Sequence, residues 1–469
     1  MTKSLQFILF SAVIFALACE PEEEQISGDS GLKLTFSADT VLFDTLLSSL
    51  PRSSITKRFR IINPNRKAVR VADIRLGKGN QSNYSIIVNG KEGNSVRDEV
   101  IFGGDSLLVL VNVNVGPQNQ DLPYLVKDSV IVEWNGMEDH VKLVAWGQDA
   151  NFINAAAICD EVWTAERPYV IYNLALVDTL CTLTMEPGTR VYIDNDASLF
   201  VQGTLKILGD SGNHVTIRNT RFDEDYLKAP GQWGGIFFLE GSKDNEIRYA
   251  DIENGQIGLG LGYSTREFQS GFTSDIKTDL NIGYSTIRNM SQAGVLSFTS
   301  DLYMYNSQIY NAGSFLVGNL AGGNYKYEHC TFSNAPSSFI NDDPMLQFSD
   351  NVIIDDNELL TGDLSLEMTN CIVWGEGKNQ LLFSNEGGAS FDTTLTNNII
   401  KSTVSYPGNF ISQENNYPGF IDPLNQNYEL DSLAFARDKG LQIGITDDLN
   451  GIPRDVKPDI GAFERVDNE

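Results

Sequence analysis

The residues of this chain best suited to chemistry are carboxylates, and many of them occur in short clusters. The clusters are Asp194 with Asp196, Asp223 with Asp225, Asp342 with Asp343 and Asp355 with Asp356. Closely spaced carboxylates can bind Ca²⁺, and a pair can supply the acid and base of glycoside hydrolysis. No arginine, lysine or histidine accompanies a cluster at a fixed strand spacing, although a Ca²⁺-dependent lyase needs such a base. We therefore expect the clusters to be solvated loops. The alternatives are a Ca²⁺ site at the first two pairs and a catalytic site.

Histidine offers little more, because the chain contains only His140, His214 and His329. His329 precedes Cys330, whose side chain is predicted to point inward, so strand alternation turns His329 outward. We expect His329 to lie at the surface. No Cys/His spacing typical of a metal site is present.

Aromatic residues suggest a different chemistry, the stacking of rings on a glycan. The candidates lie at or near the outward strand positions of a repeat and are Tyr249, Tyr284, Tyr303, Tyr305 and Tyr310, together with Trp374, which follows an inward valine. Strand propensity alone also favours tyrosine at such positions. Glycan binding and simple strand preference therefore both remain open.

The strands that would position these side chains follow a pattern that occurs six times between residues 245 and 402. Each copy has a large apolar residue and, five positions later, a β-branched or aromatic residue. Three positions after the first lies a small or thiol residue, except in the last copy, which has Asn398. The copies begin at Ile247, Ile282, Met304, Tyr327, Met368 and Leu395. The pattern predicts one half-buried strand per copy. The shortest intervals between copies are 22 and 23 residues, which is typical of a solenoid. Without a leucine-rich consensus, the fold predicted is a right-handed parallel β-helix.

Asparagine ends four of the copies, at Asn254, Asn289, Asn311 and Asn334. Asparagine tolerates left-handed backbone geometry, and a stacked amide can bond the amide in the next coil. We predict an asparagine ladder at this corner.

The composition and the N-terminus indicate export. The chain has 34 basic and 62 acidic residues and a net charge of −28, which excludes nucleic acid as a partner and disfavours an anionic membrane surface. Residues 1–18 contain Lys3 and a 14-residue apolar run, as in a signal peptide. Cleavage before Cys19 fits either the general signal peptidase or lipidation of Cys19. We favour lipidation, which would make the lipid anchor the only contact with the membrane.

Export also determines how the other four cysteines are interpreted, because disulfides persist in oxidising compartments. Cys159 and Cys181 are predicted to form a bridge at the point where the β-helix begins. Cys330 and Cys371 occupy the same position of adjacent copies and should lie one strand spacing apart, about 4.8 Å. They could be bridged or remain buried thiols.

Changes in composition and in strand and turn patterns along the sequence divide the chain into domains. Residues 19–31 form an acidic tether. Residues 32–150 contain about seven short strands separated by turns such as Asn89-Gly90, and this predicts an immunoglobulin-like β-sandwich without its cysteine pair. Residues 151–427 form the β-helix. Residues 428–469 are predicted to cap its last coil, because a solenoid exposes an apolar cross-section at each end.

Residues 20–24, Glu-Pro-Glu-Glu-Glu, resemble the acidic export tag of surface lipoproteins in Bacteroidota-type bacteria. Four further motifs are Leu183-Thr-Met-Glu-Pro-Gly-Thr189, Gly203-Thr-Leu205, Trp233-Gly-Gly-Ile236 and Pro458-Asp-Ile-Gly-Ala-Phe-Glu464. Together these four resemble the right-handed β-helix surface lipoproteins of such bacteria, in the pectin-lyase-like superfamily. The resemblance covers roughly residues 32–466. It implies an outer-membrane, surface-exposed protein and no established activity.

Two functions follow as hypotheses. The first is a noncatalytic surface protein whose β-helix binds a glycan or another envelope component. The second is a Ca²⁺-dependent polysaccharide lyase or glycoside hydrolase acting on an acidic polysaccharide. The lack of a basic residue beside an acidic cluster favours the first, and no other cofactor is expected. The sequence leaves the oligomeric state open.

Overall fold

The computed structural model describes residues 25–48, 55–263, 277–334, 339, 343–354, 358–412 and 416–466. The predicted signal peptide, Cys19, Asp342, Asp355 and Asp356 lie outside the described residues. The chain divides into two compact units, Met1–Asp149 and Ala150–Glu469. The described residues form an all-β structure without an α-helix, and none of their segments is a helix with the length and apolar character needed to cross a membrane.

The first unit contains two sheets whose buried side chains share one apolar core. Six strands form one sheet: β1 (Ile26–Ser27), β3 (Thr40–Leu47), β5 (Ala68–Leu76), β8 (Ser95–Ile101), β10 (Tyr124–Trp134) and β11 (Met137–Gln148). Five form the other: β2 (Thr35–Phe36), β4 (Thr56–Ile62), β6 (Tyr84–Val88), β7 (Lys91–Gly93) and β9 (Ser106–Val113). Inward positions along these strands carry apolar residues, mostly valine, isoleucine and leucine. Polar residues alternate with them, as expected for strands buried on one face.

The second unit is dominated by a parallel sheet of 25 strands. Its strands up to the middle of the unit are β12 (Asn151–Ile158), β13 (Glu161–Trp163), β14 (Tyr169–Val177), β15 (Thr182–Met185), β16 (Arg190–Ile193), β17 (Ser198–Val201), β18 (Thr204–Leu208), β19 (Val215–Asn219), β20 (Gly235–Leu239), β21 (Asn245–Arg248), β22 (Ala250–Glu253), β23 (Ile257–Tyr263), β24 (Asp279–Gly283) and β25 (Thr286–Met290). Next come β26 (Ala293–Tyr305), β27 (Gln308–Ala312), β28 (Phe315–Glu328), β29 (Thr331–Asn334), β30 (Leu346–Ser349), the hairpin β31 (Asn351–Ile354) and β32 (Glu358–Thr361), β33 (Leu364–Thr369), β34 (Ile372–Gly375), β35 (Leu381–Ser384), β36 (Phe391–Thr396), β37 (Ile399–Lys401) and β38 (Phe410–Ser412), followed by a second hairpin, β39 (Phe420–Asp422) and β40 (Asn427–Leu430).

Parallel pairing connects these strands into three ladders, so that the chain returns to each ladder once per repeat. The first ladder runs β13, β15, β18, β21, β24, the second halves of β26 and β28, β33 and β36. The second runs from the first halves of β12 and β14 through β16, β19, β22, β25, β27, β29, β34 and β37 to β38. The third runs from the second halves of β12 and β14 through β17, β20, β23 and the first halves of β26 and β28 to β30 and β35.

The six copies of the repeat stack in register, as their spacing predicts. Their first apolar positions pair along the first ladder, from Ile247 to Leu395, and their last apolar positions pair along the second. The prediction of one continuous strand per copy was wrong. Each copy turns a corner at its third residue, which has a positive φ in all six: Tyr249, Tyr284, Asn306, His329, Asn370 and Asn397. The corner explains why the first two inward residues are three apart rather than two.

The small residue after each corner lies inside the stack and bonds the neighbouring coil. The backbone N–H of Ala250 donates to Ser285 Oγ, and that of Ser285 donates to Ser307 Oγ. Cys330 and Cys371 continue this row as free, fully buried thiols. Their predicted adjacency is confirmed, since Cys330 N lies 3.5 Å from Cys371 Sγ.

A second corner lies near the C-terminal end of each strand of the second ladder, and an asparagine ladder runs along it. Asn311 donates to Asn289 Oδ1 over 2.7 Å, Asn289 donates to Asn254, and Asn254 donates to Asn219, a rung that the repeat alone did not reveal. Asn254, Asn289 and Asn311 have positive φ, as left-handed corners require. Asn334 differs, because its amide bonds both backbone groups of Ala312.

The C-terminal segment, residues 416–466, does not cap the last coil as predicted. It runs along the side of the parallel sheet and bonds successive corners: Asp447 accepts from Tyr284, Ala462 N donates to Thr331 Oγ1, and Lys439 O accepts from Asn397. The reason is that outward positions of the second ladder carry apolar side chains that need cover. They form one core with the segment: Tyr310, Ile372, Trp374 and Ile399 with Phe420, Tyr428, Ile460 and Phe463.

A buried charged cluster holds the C-terminal segment. Arg454 Nη1 lies 3.1 Å from Glu464 Oε2, and both side chains are almost fully buried. Burial raises the pKa of Glu464 to about 7, although Arg454 opposes the shift. Burial also raises the pKa of Asp448 and Asp459 in the same cluster.

These shifts predict that stability falls as pH rises from 4.5 to 7. The folded pKa of Glu464 lies above its ordinary value of 4.5, so between these limits the native state binds more protons than the unfolded state. Urea unfolding at a series of pH values measures the effect. Glu464→Gln, which keeps an acceptor oxygen but cannot titrate, should flatten the curve across this window. An identical slope in both proteins would contradict the prediction.

Candidate functional site

A groove of about 600 Å³ lies along the outward face of the first ladder. Most of its lining is formed by alternate, outward-pointing residues at or beside β18, β21, β24, β26, β28 and β33. One row is formed by residues that are partners in successive strand pairs: Lys206, Glu246, Asn281, Tyr303, Lys326 and Glu367. A parallel row two residues earlier contains Asp244, Asp279, Asp301, Asn324 and Ser365. Because parallel strands are about 4.8 Å apart, the six rungs of the first row extend over about 24 Å.

The groove is acidic, with five carboxylates against two ammonium groups. Lys206 Nζ lies 3.6 Å from Glu246 Oε2, and Lys326 Nζ lies 2.9 Å from Glu328 Oε1, so both cations are paired. Burial and the neighbouring carboxylates Asp244 and Asp301 raise the pKa of Asp279. A negatively charged polymer such as a polyuronate would be repelled by this surface.

Polar groups in the groove are positioned by contacts between adjacent rungs. Asn324 Nδ2 donates to Asp301 Oδ1 over 2.7 Å, and the backbone N–H of Asn245 donates to Asp279 Oδ1 over 3.1 Å. The Tyr303 hydroxyl donates to Glu328 Oε2 over 2.5 Å. Burial and this bond raise the pKa of Tyr303, which therefore stays a neutral donor. Carboxylate and amide oxygens with fixed positions can accept bonds from the hydroxyl groups of a neutral sugar.

The structure brings one of the predicted glycan-binding residues, Tyr303, into the groove. Tyr305 stacks on it with ring centroids 5.1 Å apart. The predicted exposure of Tyr249, Tyr310 and Trp374 was wrong, since they are 8%, 4% and 6% exposed.

These rings are buried by contacts at the corner and with the C-terminal segment. Tyr249 stacks on Tyr284, with ring centroids 4.6 Å apart, and the Tyr284 hydroxyl donates to Asp447 Oδ1. Tyr310 packs on Tyr428 and Trp374 on Tyr417, both from the C-terminal segment. These outward positions serve as an internal contact surface.

His329 was also predicted at the surface, and it is buried instead. It is 1% exposed at a corner, and its Nε2 lies 2.9 Å from Asn370 Nδ2. Burial, with a contribution from nearby Arg454, lowers its pKa to about 3. His329 is not among the residues that line the groove.

Three of the four candidate Ca²⁺ ligands accept hydrogen bonds from neighbouring side chains. Asp223 accepts two bonds from Arg221, Asp194 accepts from Thr220, and Asp196 accepts from Asn195. Asp225 lies in a 3₁₀ turn, Glu224–Tyr226. Within the part of the chain that the structure describes, no three His, Cys, Asp or Glu side chains converge as a metal site. Cys159 and Cys181 form a disulfide.

The acidic residues of the groove were missed because the repeat was traced from its first apolar residue onward. The signal lies just upstream. Four copies are preceded by a polar residue, a large apolar residue and a second polar residue, beginning at Asp279, Asp301, Asn324 and Ser365. Extending the alternation by three residues would have placed both polar rows on one face.

Comparisons with known proteins identify no family. No family model matches the chain, and no curated protein matches it. Among solved structures it is similar to the E. coli chaperone DraB, with 14% identity and a TM-score of 0.17 over 24% of this chain and 55% of that one. It is also similar to an ASH/PapD-like domain of human CEP192, with 10% identity and a TM-score of 0.17 over 28% of this chain and 92% of that one. A third similar structure is a family 123 glycoside hydrolase from Clostridium perfringens, with 9% identity and a TM-score of 0.16 over 26% of this chain and 30% of that one. Similarities this weak carry no argument about fold or function.

Proposed function

We propose that this protein is a surface-exposed outer-membrane lipoprotein whose β-helix binds an uncharged glycan without catalysis. The 25-stranded parallel sheet and its three ladders support a right-handed parallel β-helix, and the two-sheet first unit supports an immunoglobulin-like spacer. The observation that carries the binding proposal is the groove, in which two rows of polar side chains repeat with the strand spacing. A linear polymer suits a linear array of this kind.

The acidic-polysaccharide alternative is disfavoured by charge. Five carboxylates face the groove, and both lysines already have carboxylate partners. A uronate chain would bring further negative charge into this surface.

Glycoside hydrolysis remains a second candidate, favoured by the position of Asp279 between Asp244 and Asp301. Burial and the neighbouring carboxylates raise the pKa of Asp279, and a carboxyl group with a raised pKa beside a second carboxyl group can act as the general acid of a glycosidase. Release of reducing ends from a polysaccharide panel would separate hydrolysis from binding, since a binding protein releases none.

Binding should depend on the groove carboxylates. We expect Asp301→Ala to weaken glycan binding by about tenfold or more, because the loss of one charged acceptor is worth at least about 1.4 kcal/mol. Glycan-array screening followed by calorimetry on the strongest ligand measures this. Asp225→Ala, an exposed carboxylate outside the groove, is the matched control. Equal affinities for the two variants would refute the groove as the site.

Surface anchoring is proposed to depend on Cys19. Cys19→Ser should release the protein into the soluble fraction, because the anchor is the only membrane contact proposed. Fractionation and mass spectrometry of the mature N-terminus measure the outcome. An unmodified Cys19 in the native protein would end this part of the proposal and leave the groove untouched.

A further inference from the structure

The ring of Tyr305, at the end of β26, lies across the neighbouring strand at the margin of the groove. Its partner in that strand is Gly283 of β24. A Cβ built on Gly283 would lie within 2.6 Å of Cζ, Cε1 and the hydroxyl oxygen of Tyr305. The tip of the ring therefore occupies the space that a side chain at position 283 would need. A glycine within a strand often marks such a close approach.

Two other tyrosines hold this ring in place. Tyr303, which lines the groove, stacks on Tyr305 at an interplanar angle of 25° with centroids 5.1 Å apart. Tyr284 meets Tyr305 edge-on, with centroids 5.4 Å apart, and its own hydroxyl donates to Asp447. Tyr305 is nevertheless only half-buried. A ring that is already positioned and still reaches solvent can receive a ligand at little cost in ordering entropy.

Polar groups surround the ring. Glu246 and Asn281 line the groove and are partners in register, and Asn281 lies two residues before Gly283. Arg248 is the register partner of Gly283 and is exposed. Burial raises the pKa of Tyr305, Arg248 lowers it and Glu246 raises it, so both charged groups lie near the ring. An acceptor and a donor therefore flank one aromatic surface.

We propose that Tyr305 is the stacking platform of a sugar subsite whose ligand is an extended chain of β-1,4-linked, glucose-type pyranoses. This inference rests on the proposed function. When every hydroxyl of a pyranose is equatorial, each face of the sugar carries only C–H groups, and one face can lie on the tyrosine ring. The hydroxyls then point sideways, where Glu246 can accept from one and Arg248 can donate to another.

The linkage follows from the straight course of the groove. Its rungs are one strand spacing apart, about 4.8 Å. A chain with equatorial linkages stays extended and advances by a similar distance per sugar, so the neighbours of a sugar on Tyr305 remain over the two polar rows. An α-1,4-linked chain coils instead, and it would leave the rows after a few sugars.

Two substitutions remove the platform in different ways. Tyr305→Ala deletes the ring, whereas Gly283→Ala displaces it and keeps every carboxylate of the groove. We expect each to weaken binding of a β-1,4-linked glucose hexasaccharide to the full chain by about tenfold, as measured by calorimetry. Tyr305→Phe should bind like the wild type, because the ring carries the stacking. Gly116→Ala, where an added Cβ meets no atom within 4 Å, is the matched glycine control.

The outcomes separate the stacking subsite from the proposed function. Wild-type affinity in Tyr305→Ala, alongside weaker binding by Asp301→Ala, would overturn the platform and leave the groove as the binding site. Equal affinity of the wild type for an α-1,4-linked glucose hexasaccharide would overturn the linkage. A wild type that binds no glycan would refute the proposed function, and the subsite with it.

Discussion

Replacing Arg454 by methionine is expected to destabilise the second unit by about 3–5 kcal/mol, the usual cost of removing one partner from a buried ion pair. The guanidinium is 1% exposed and makes five hydrogen bonds. Nε donates to Asp447 O, Nη1 to Asp459 O and Glu464 Oε2, and Nη2 to Asn306 Oδ1 and Gly461 O. Methionine fills a similar volume but leaves these acceptors without a donor.

The loss should be concentrated in the C-terminal segment. Asn306 belongs to a corner of the parallel sheet, so Arg454 fastens the segment to that corner as well as to itself. Urea unfolding and limited proteolysis of residues 416–466 measure the effect. Arg248→Met removes an exposed arginine from β21 and should change stability by less than about 0.5 kcal/mol. Equal unfolding midpoints for the two variants would show that the cluster is not stabilising.

Asn311→Leu is expected to cost about 2–5 kcal/mol. Asn311 is 1% exposed, has a φ of +57° and donates to Asn289 Oδ1. Leucine cannot make the amide bond, which leaves a buried acceptor with one donor fewer, at about 1–3 kcal/mol. It also disfavours left-handed geometry by about 1–2 kcal/mol. Melting temperature and urea unfolding measure the loss.

A matched control is Asn281→Leu, an exposed asparagine at an outward position of β24. Its replacement should lower stability by well under 1 kcal/mol. Lys401→Ala would be a poorer control, because the Lys401 Nζ donates to Gly375 O and lies 5.6 Å from the centroid of the Trp374 ring. If Asn311→Leu and Asn281→Leu unfold together, the ladder contributes nothing to stability.

The stacking of the repeats was predictable because side-chain alternation and repeat length are local properties. Inward positions at Ile247, Ile282 and Met304 must align if each unit is to bury its apolar face against the next. The corner was also encoded, in the three-residue step from Ile247 to Ala250, but it was interpreted as part of one strand. Asn306, Asn370 and Asn397 at the first corner are asparagines in left-handed backbone geometry. The same residue type predicted left-handed geometry only at the second corner.

The candidate site was less predictable, because a groove depends on which outward face stays uncovered. The outward tyrosines and Trp374 have the same sequence signature whether they face solvent or protein. Only the path of the C-terminal segment decides that Trp374 and Tyr310 are covered and Tyr303 is not. Likewise, the clusters at Asp194 and Asp223 stand out in the sequence, whereas Asp279 and Asp301 come together only when the strands pair.

The sequence by itself therefore determined the all-β class, the register of the six copies and the row of Cys330 and Cys371, since these depend on spacing along the chain. The tertiary structure decided what the residues beyond Asn427 cover. Apolar residues such as Ile460 and Phe463 do not specify which apolar surface they will cover. Burial against Ile372 and Ile399 on the side of the sheet removes them from water as well as an end cap would. A choice between two apolar surfaces is made by the whole folded chain, where buried polar groups such as Arg454 find all their partners in only one arrangement.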